Sequence, residues 1–269
     1  MKLVTTAVSL TLLPFFPAAP HSQSASFDRL QVAPAPIQNT NSIDSHASAE
    51  ELEKRADQLR AEKEFADALD FYGAALAKKP ESAVLYNKRG ICELLQQRYR
   101  KAGSDFARAL RIDPGYAPAY NNLGVMEYAT RKYGKAIKQY EKAISLEPSG
   151  ASYYSNLGAA YFAKKSWEKA TKAYSEAVKL DPGIFDESNR SGITGQVASP
   201  ADRAHFSFVL AKLYARSGMN DRSLEYLRRA LEEGYKGVNE VYSDVDFSSL
   251  RKDPRFAQLM SAPRVSIPE

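Results

Sequence analysis

Residues 117–150 read APAYNNLGVMEYATRKYGKAIKQYEKAISLEPSG, and residues 151–184 read ASYYSNLGAAYFAKKSWEKATKAYSEAVKLDPGI. Laid one above the other they share tyrosine (Tyr120 with Tyr154, Tyr140 with Tyr174), glycine (Gly124 with Gly158), alanine (Ala136 with Ala170, Ala143 with Ala177) and proline (Pro148 with Pro182). Each partner lies 34 residues from the other. The same ruler runs back through Pro114 and Pro80, Gly90 and Ala56, Ala102 and Ala68, Phe106 and Tyr72, and Ala109 and Ala75. A second aromatic column is Phe65, Tyr99, Tyr133 and Trp167. Self-similarity at a fixed period of roughly 20–50 residues marks an architecture built by stacking one small unit.

Apolar residues recur at helical spacing twice within each unit. Tyr154, Leu157, Gly158 and Tyr161 form one such set, and Ala170, Ala173, Tyr174, Ala177 and Val178 the other. The polar stretch Ala163-Lys164-Lys165-Ser166 divides them, and the proline at the end of the unit stops the second helix. Each unit therefore predicts two antiparallel helices. The small column lets them approach closely, and the aromatic columns fill the space beside it. One pair cannot bury its own apolar face, whereas stacked pairs can, so the predicted fold is an all-α solenoid.

These columns resemble the tetratricopeptide repeat family across residues 49–182. The resemblance implies a right-handed α-solenoid whose first helices line a concave, partner-binding side. Copy one departs from the family pattern at Arg55 and Ala56, where a Leu-Gly pair is usual, and reads as a worn N-terminal cap. The expected organisation is four repeats over 48–182, a loop insertion at 183–200, a degenerate fifth repeat over 201–237 and a C-terminal helical cap and tail over 238–269. Leu210, Tyr214, Gly218, Ser223, Leu227 and Ala230 fit the columns in the fifth copy. Ser199-Pro200-Ala201-Asp202 reads as its helix start. Val245, Phe247, Leu250, Phe256, Leu259 and Met260 are the expected apolar residues of the cap.

The N-terminus is a different object. Lys2, an apolar run through Leu10, Leu12, Leu13, Phe15 and Phe16, and the small residues Ala18, Ala19, Ser22 and Ser24 follow the order of a cleaved secretory signal over residues 1–24. The run is short for a membrane span, and Pro14 and Pro17 interrupt it, so no transmembrane segment is expected in the mature chain. The predicted location is the periplasm or the cell exterior. Residues 25–47, polar and spotted with proline, read as a disordered linker.

The sequence offers little for catalysis. It has one cysteine, Cys92, and three histidines, His21, His46 and His205, scattered along the chain. A zinc site built on several thiolates is excluded, and no phosphate loop, nucleophile elbow or paired-histidine metal motif appears. Cys92 reads as a buried structural thiol. The expectation is a non-catalytic interaction scaffold with no cofactor and no metal. The net charge of +5 is too small to argue for nucleic acid.

Two surfaces are candidates. The first-helix residues beside the packing columns are Asn87, Lys88, Ile91 and Leu94, then Asn121, Asn122, Val125 and Tyr128, then Ser155, Asn156, Ala159 and Phe162. Asparagine amides can both donate to and accept from a peptide backbone. A peptide or partner protein is therefore expected on Asn87, Lys88, Asn121, Asn122, Tyr128, Ser155, Asn156 and Phe162. Some family members clamp a C-terminal carboxylate with basic and asparagine residues. Here the corresponding basic positions hold Ser152 and Asn156, which argues against that activity. The alternative is a basic ridge at the turns, formed by Arg98, Lys101, Lys132, Lys135, Lys165 and Lys169, that binds anionic lipid or polymer. The partner's identity and the oligomeric state stay open at this level.

Overall fold

The structure is a computed structural model that describes residues 43–186 and 200–261. Every described residue lies within one compact unit, Asn41–Glu269. The signal reading of residues 1–24, the linker up to residue 42, most of the insertion (187–199, with Ser199) and the tail from 262 lie outside the described residues.

Eight helices occupy the four repeats: α1 (Ala49–Ala61), α2 (Phe65–Lys78), α3 (Ala83–Leu95), α4 (Tyr99–Ile112), α5 (Ala117–Ala129), α6 (Tyr133–Leu146), α7 (Ala151–Ala163) and α8 (Trp167–Leu180). The fifth pair is α9 (Pro200–Arg216) and α10 (Asn220–Glu232). The cap is α11 (Val238–Ser243), two 3-10 turns (Val245–Phe247 and Leu250–Lys252) and α12 (Pro254–Ser261). No strand occurs among the described residues. Helices pack within each pair, and each second helix also packs on the first helix of the next pair, which is the α-solenoid arrangement.

The ends of the helices follow from local chemistry. Ser48 caps α1 in a reciprocal capping box with Glu51. Every second helix of the four copies ends two residues before its proline, and the residue between them is its cap. Asp113 (φ −131°, ψ 95°) and Asp181 (φ −141°, ψ 100°) are extended, because the proline ring disfavours helical backbone before it. Each first helix ends in a left-handed residue: Lys63 (φ 66°), Gln97 (φ 58°), Arg131 (φ 60°) and Lys165 (φ 57°). After α5, the Arg131 N–H donates to the Tyr128 carbonyl and the Lys132 N–H to the Glu127 carbonyl, which completes a Schellman motif.

The small column and the inner aromatic column interlock. A Cβ at Gly90 would stand 2.6 Å from Phe106, and Cβ atoms at Gly124 and Gly158 would stand 2.5 Å from Tyr140 and Tyr174. Those rings, like Tyr72, are almost wholly buried, and so are the two alanine columns beside them. Tyr86, Tyr120 and Tyr154 are only half-buried, so they edge the core instead of filling it. The Arg89 guanidinium lies 5.3 Å from the Tyr86 ring centre. In the fifth pair Ser223 takes the place of a packing alanine. Its hydroxyl donates to the Ala211 carbonyl at 2.8 Å, which lets a polar group be buried there.

Three expectations change in detail. The linker is not structureless to its end: His46 N–H donates to Asp44, and Lys78 Nζ reaches the Ser45 carbonyl at 2.9 Å. The insertion also starts as ordered chain. Phe185 is buried against Tyr174, its carbonyl accepts from the Tyr226 hydroxyl at 2.6 Å, and Arg222 bonds the Pro182 carbonyl and Asp186. In the cap, Phe247, Leu250, Phe256 and Met260 are buried as expected, but Val245 is 75% exposed and Val241 takes the core position. The 3-10 turn at 245–247 can aim one of its two large apolar residues inward, and that residue is Phe247.

Candidate functional site: the inner face of the first helices

Among the four copies, α3, α5 and α7 approach one another more closely than the second helices do, so the first helices form the tighter, inner layer. Side chains bond across this layer at a spacing of 35 residues, one more than the repeat. Asn122 Nδ2 donates to Asn87 Oδ1 at 2.9 Å, Asn156 Nδ2 to Asn121 Oδ1 at 2.9 Å, and Asn121 Nδ2 to Asn122 Oδ1 at 3.3 Å. Lys88 and Glu53 repeat that offset as an ion pair at 2.6 Å. The sequence column Asn122–Asn156 is thus not a direct pair. Instead the four amides form one relay running α7 to α5 to α3, held by the one-residue stagger of neighbouring helices.

The relay decides what each residue can still do. Asn87 and Asn156 are buried within it, and Ser155 is buried beside it. Asn121 and Asn122 are half-buried, and each amide keeps hydrogen-bonding capacity beyond the bonds described. Lys88 is engaged twice, by Glu53 and by Asp57, each at 2.6 Å. Burial opposes its charge, but those two bonds outweigh burial and raise its pKa above that of an ordinary lysine. Asp57 also accepts from the buried Tyr72 hydroxyl. Copy one therefore closes its end of the face with a self-neutralised cluster.

Tyr128 and Phe162 are not open wall. Tyr128 is buried against Tyr133 (5.2 Å between ring centres), and burial pushes its hydroxyl pKa up to about 12. Phe162 is buried at the junction with the fifth pair, 4.7 Å from Trp167 and 5.9 Å from Phe206. Both rings bridge first and second helices within the core, which leaves little of either open to a partner. The apolar residues that do open onto solvent are Val84 (40% exposed) and Leu95 (52% exposed), with Ile91 half-buried between them. Val84, Lys88, Ile91 and Leu95 lie at steps of four, three and four, a single stripe of α3. That spacing was the available signal for Val84 and Leu95, which sequence reasoning passed over.

The turn cations divide into two groups. Arg98 and Lys101 lie 3.5 Å and 4.0 Å from the buried carboxylate of Glu93, and Lys132 lies 3.7 Å from Glu127. Lys165 is the left-handed cap of α7. Lys135 and Lys169 stand exposed on the second helices, with Lys169 Nζ 5.6 Å from the centre of the Tyr161 ring. These residues do not form one continuous free ridge, because half of them are turned onto carboxylates of their own copy.

Cys92 is fully buried, and that burial pushes its thiol up to about 11, away from thiolate chemistry. His205 is half-buried against Trp167, 4.7 Å between ring centres, and burial lowers its pKa. Among the described residues no group of His, Cys, Asp and Glu could hold a metal ion, and no helix is long and apolar enough to cross a membrane.

Family models match the chain in three places: a tetratricopeptide repeat at residues 53–117, a TPR repeat at 126–165 and a tetratricopeptide repeat at 151–184. No curated protein matches it. Solved structures that resemble it include MamA (22% identity, 68% of this chain and 96% of that one, TM-score 0.46). They also include YrrB, described as a TPR protein with an unusual peptide-binding site (18% identity, 73% and 91%, TM-score 0.46). A third is the Sgt2 TPR domain from Aspergillus fumigatus (26% identity, 46% and 82%, TM-score 0.41). The 34-residue columns, the interlocked glycine and aromatic positions and the three family matches lead to one conclusion: this chain is a tetratricopeptide repeat protein.

Proposed function

We propose that the chain is a non-catalytic protein-interaction scaffold that holds a peptide segment of a partner protein along the inner face of α3, α5 and α7. The observation that carries this reading is the continuity of the face. A row of amides with unused donors and acceptors runs beside a solvent-open apolar stripe at Val84, Ile91 and Leu95. Amides serve a peptide backbone whatever its sequence, while an exposed apolar stripe supplies side-chain burial. Export through residues 1–24 is part of the proposal, and N-terminal sequencing of the mature protein tests it: a retained Met1 rules it out.

Peptides selected from a random display library on the full chain provide the ligand for the main test. Val84→Ser with Leu95→Ser should weaken the selected peptides about tenfold or more, as loss of central apolar contacts does at other interfaces. Asn122→Ala should weaken them further, and binding should survive raised salt. Unchanged affinity in the Val84/Leu95 variant moves the site off this face. Binding that collapses with salt instead favours the turn cations and an anionic partner.

A further inference from the structure

The second helices carry a repeated outer pattern that an inner-face partner leaves unused. On α6, Lys135, Lys138, Lys142 and Leu146 follow at steps of three, four and four, so they share one stripe, and all four are exposed. On α8 the stripe recurs as Lys169, Lys172 and Leu180, again exposed. Glu176 stands where α6 has Lys142, and it is taken up by Lys179 at 2.7 Å. On α4 it begins with Lys101. Lys101 and Arg108, the basic residues of the α4 stripe, lie on Glu93 and Glu81, and the first two positions on α2 are Asp67 and Asp70, so the free basic face belongs to copies three and four and is not a property of the repeat as such.

The helix dipole does not account for the first lysine of each stripe, and of the others Lys142 has a ring partner, its Nζ lying 6.0 Å from the centre of the Tyr120 ring. Lys101, Lys135 and Lys169 sit in the first turn of their helices, where the backbone dipole disfavours cations. Lys135, Lys138 and Lys172 make no ion pair among the described residues. Beyond the lysines, the same stripes end in exposed leucines, Leu146 (36% exposed) and Leu180 (45%). No aromatic ring is exposed on these stripes for a nucleobase to stack on.

We propose that this outer face docks on the surface of an anionic phospholipid bilayer, with the lysine columns on the headgroup phosphates and Leu146 and Leu180 entering the interfacial layer. A soluble polyanion would satisfy the lysines but leave both leucines in water. A bilayer interface satisfies both, which is the combination that interfacial helices use. The face is separate from the inner stripe, so the scaffold reading and this one stand or fall independently.

The test is co-sedimentation of the full chain with phosphatidylcholine vesicles, with and without phosphatidylglycerol. Binding should require phosphatidylglycerol. Lys135→Gln, Lys138→Gln and Lys172→Gln together should weaken it ~10-fold or more, from the contribution of each lysine near an anionic surface. The same three changed to Arg should keep it, which separates charge from misfolding. Leu146→Ser with Leu180→Ser should remove the part of the binding that resists salt. Failure of the unaltered chain to sediment, or equal sedimentation of the Gln variant, overturns the proposal. Equal affinity for polyphosphate together with an unaffected leucine variant also overturns it, in favour of a soluble polyanion.

Discussion

At Gly124 a methyl group has nowhere to go. Its Cβ would stand 2.5 Å from the Tyr140 ring, which is fully buried and boxed in by Ala136 and Ala143 on its own helix. Rings of this kind cannot retreat without opening the pair, so Gly124→Ala should destabilise the protein by about 1–3 kcal/mol. A urea titration of the variant against the parent measures this, and an unchanged midpoint would mean the pair has slack the packing does not show. The small column was legible in the sequence because only glycine or alanine recurs there. The asparagines were legible only as residue types. Their bonding follows a 35-residue offset that a 34-residue alignment hides.

At the scale of the element, each first helix is closed by a left-handed residue. In the four regular copies that residue is Lys, Gln, Arg or Lys, whereas in the fifth it is Gly218 (φ 72°). A side chain in this conformation is strained by about 1 kcal/mol relative to glycine. Arg131→Gly should therefore raise stability by ~0.5–1 kcal/mol, and Gly218→Ala should lower it by a similar amount. Thermal melts of the two variants should shift in opposite directions. Shifts of the same sign would show that contacts of the Arg131 side chain outweigh its backbone strain. The turn positions were visible as polar breaks between apolar sets. That the cations among them serve partly as caps and partly as partners of Glu93 and Glu127 needed the chain folded back on itself.

Over the described solenoid, stability is assembled from neighbours, and the C-terminal cap closes the last apolar flank. Phe247 and Leu250 are fully buried, and they join Phe208, Leu227 and Val241 in one cluster. Phe247→Ala should cost ~3–5 kcal/mol by opening a cavity there. Because each pair touches only its neighbours, the loss should be local. Hydrogen exchange should quicken in α9, α10 and the cap while α1–α4 keep their protection. Uniform loosening from α1 to α12 would show that the array melts as one unit instead.

The sequence by itself determined the helix pairs, their order and their stacking. Period, small columns and prolines act through local sterics and nearest-neighbour burial, and all three are written in residue type and spacing. Only the tertiary structure decided which side chains remain free on each face. It buried Tyr128 and Phe162, opened Val84 and Leu95, joined the asparagines across helices and set Arg98 and Lys132 beside carboxylates of their own copies. Those outcomes depend on the stagger between adjacent helices and on groups far apart in the chain, and no repeat alignment contains either.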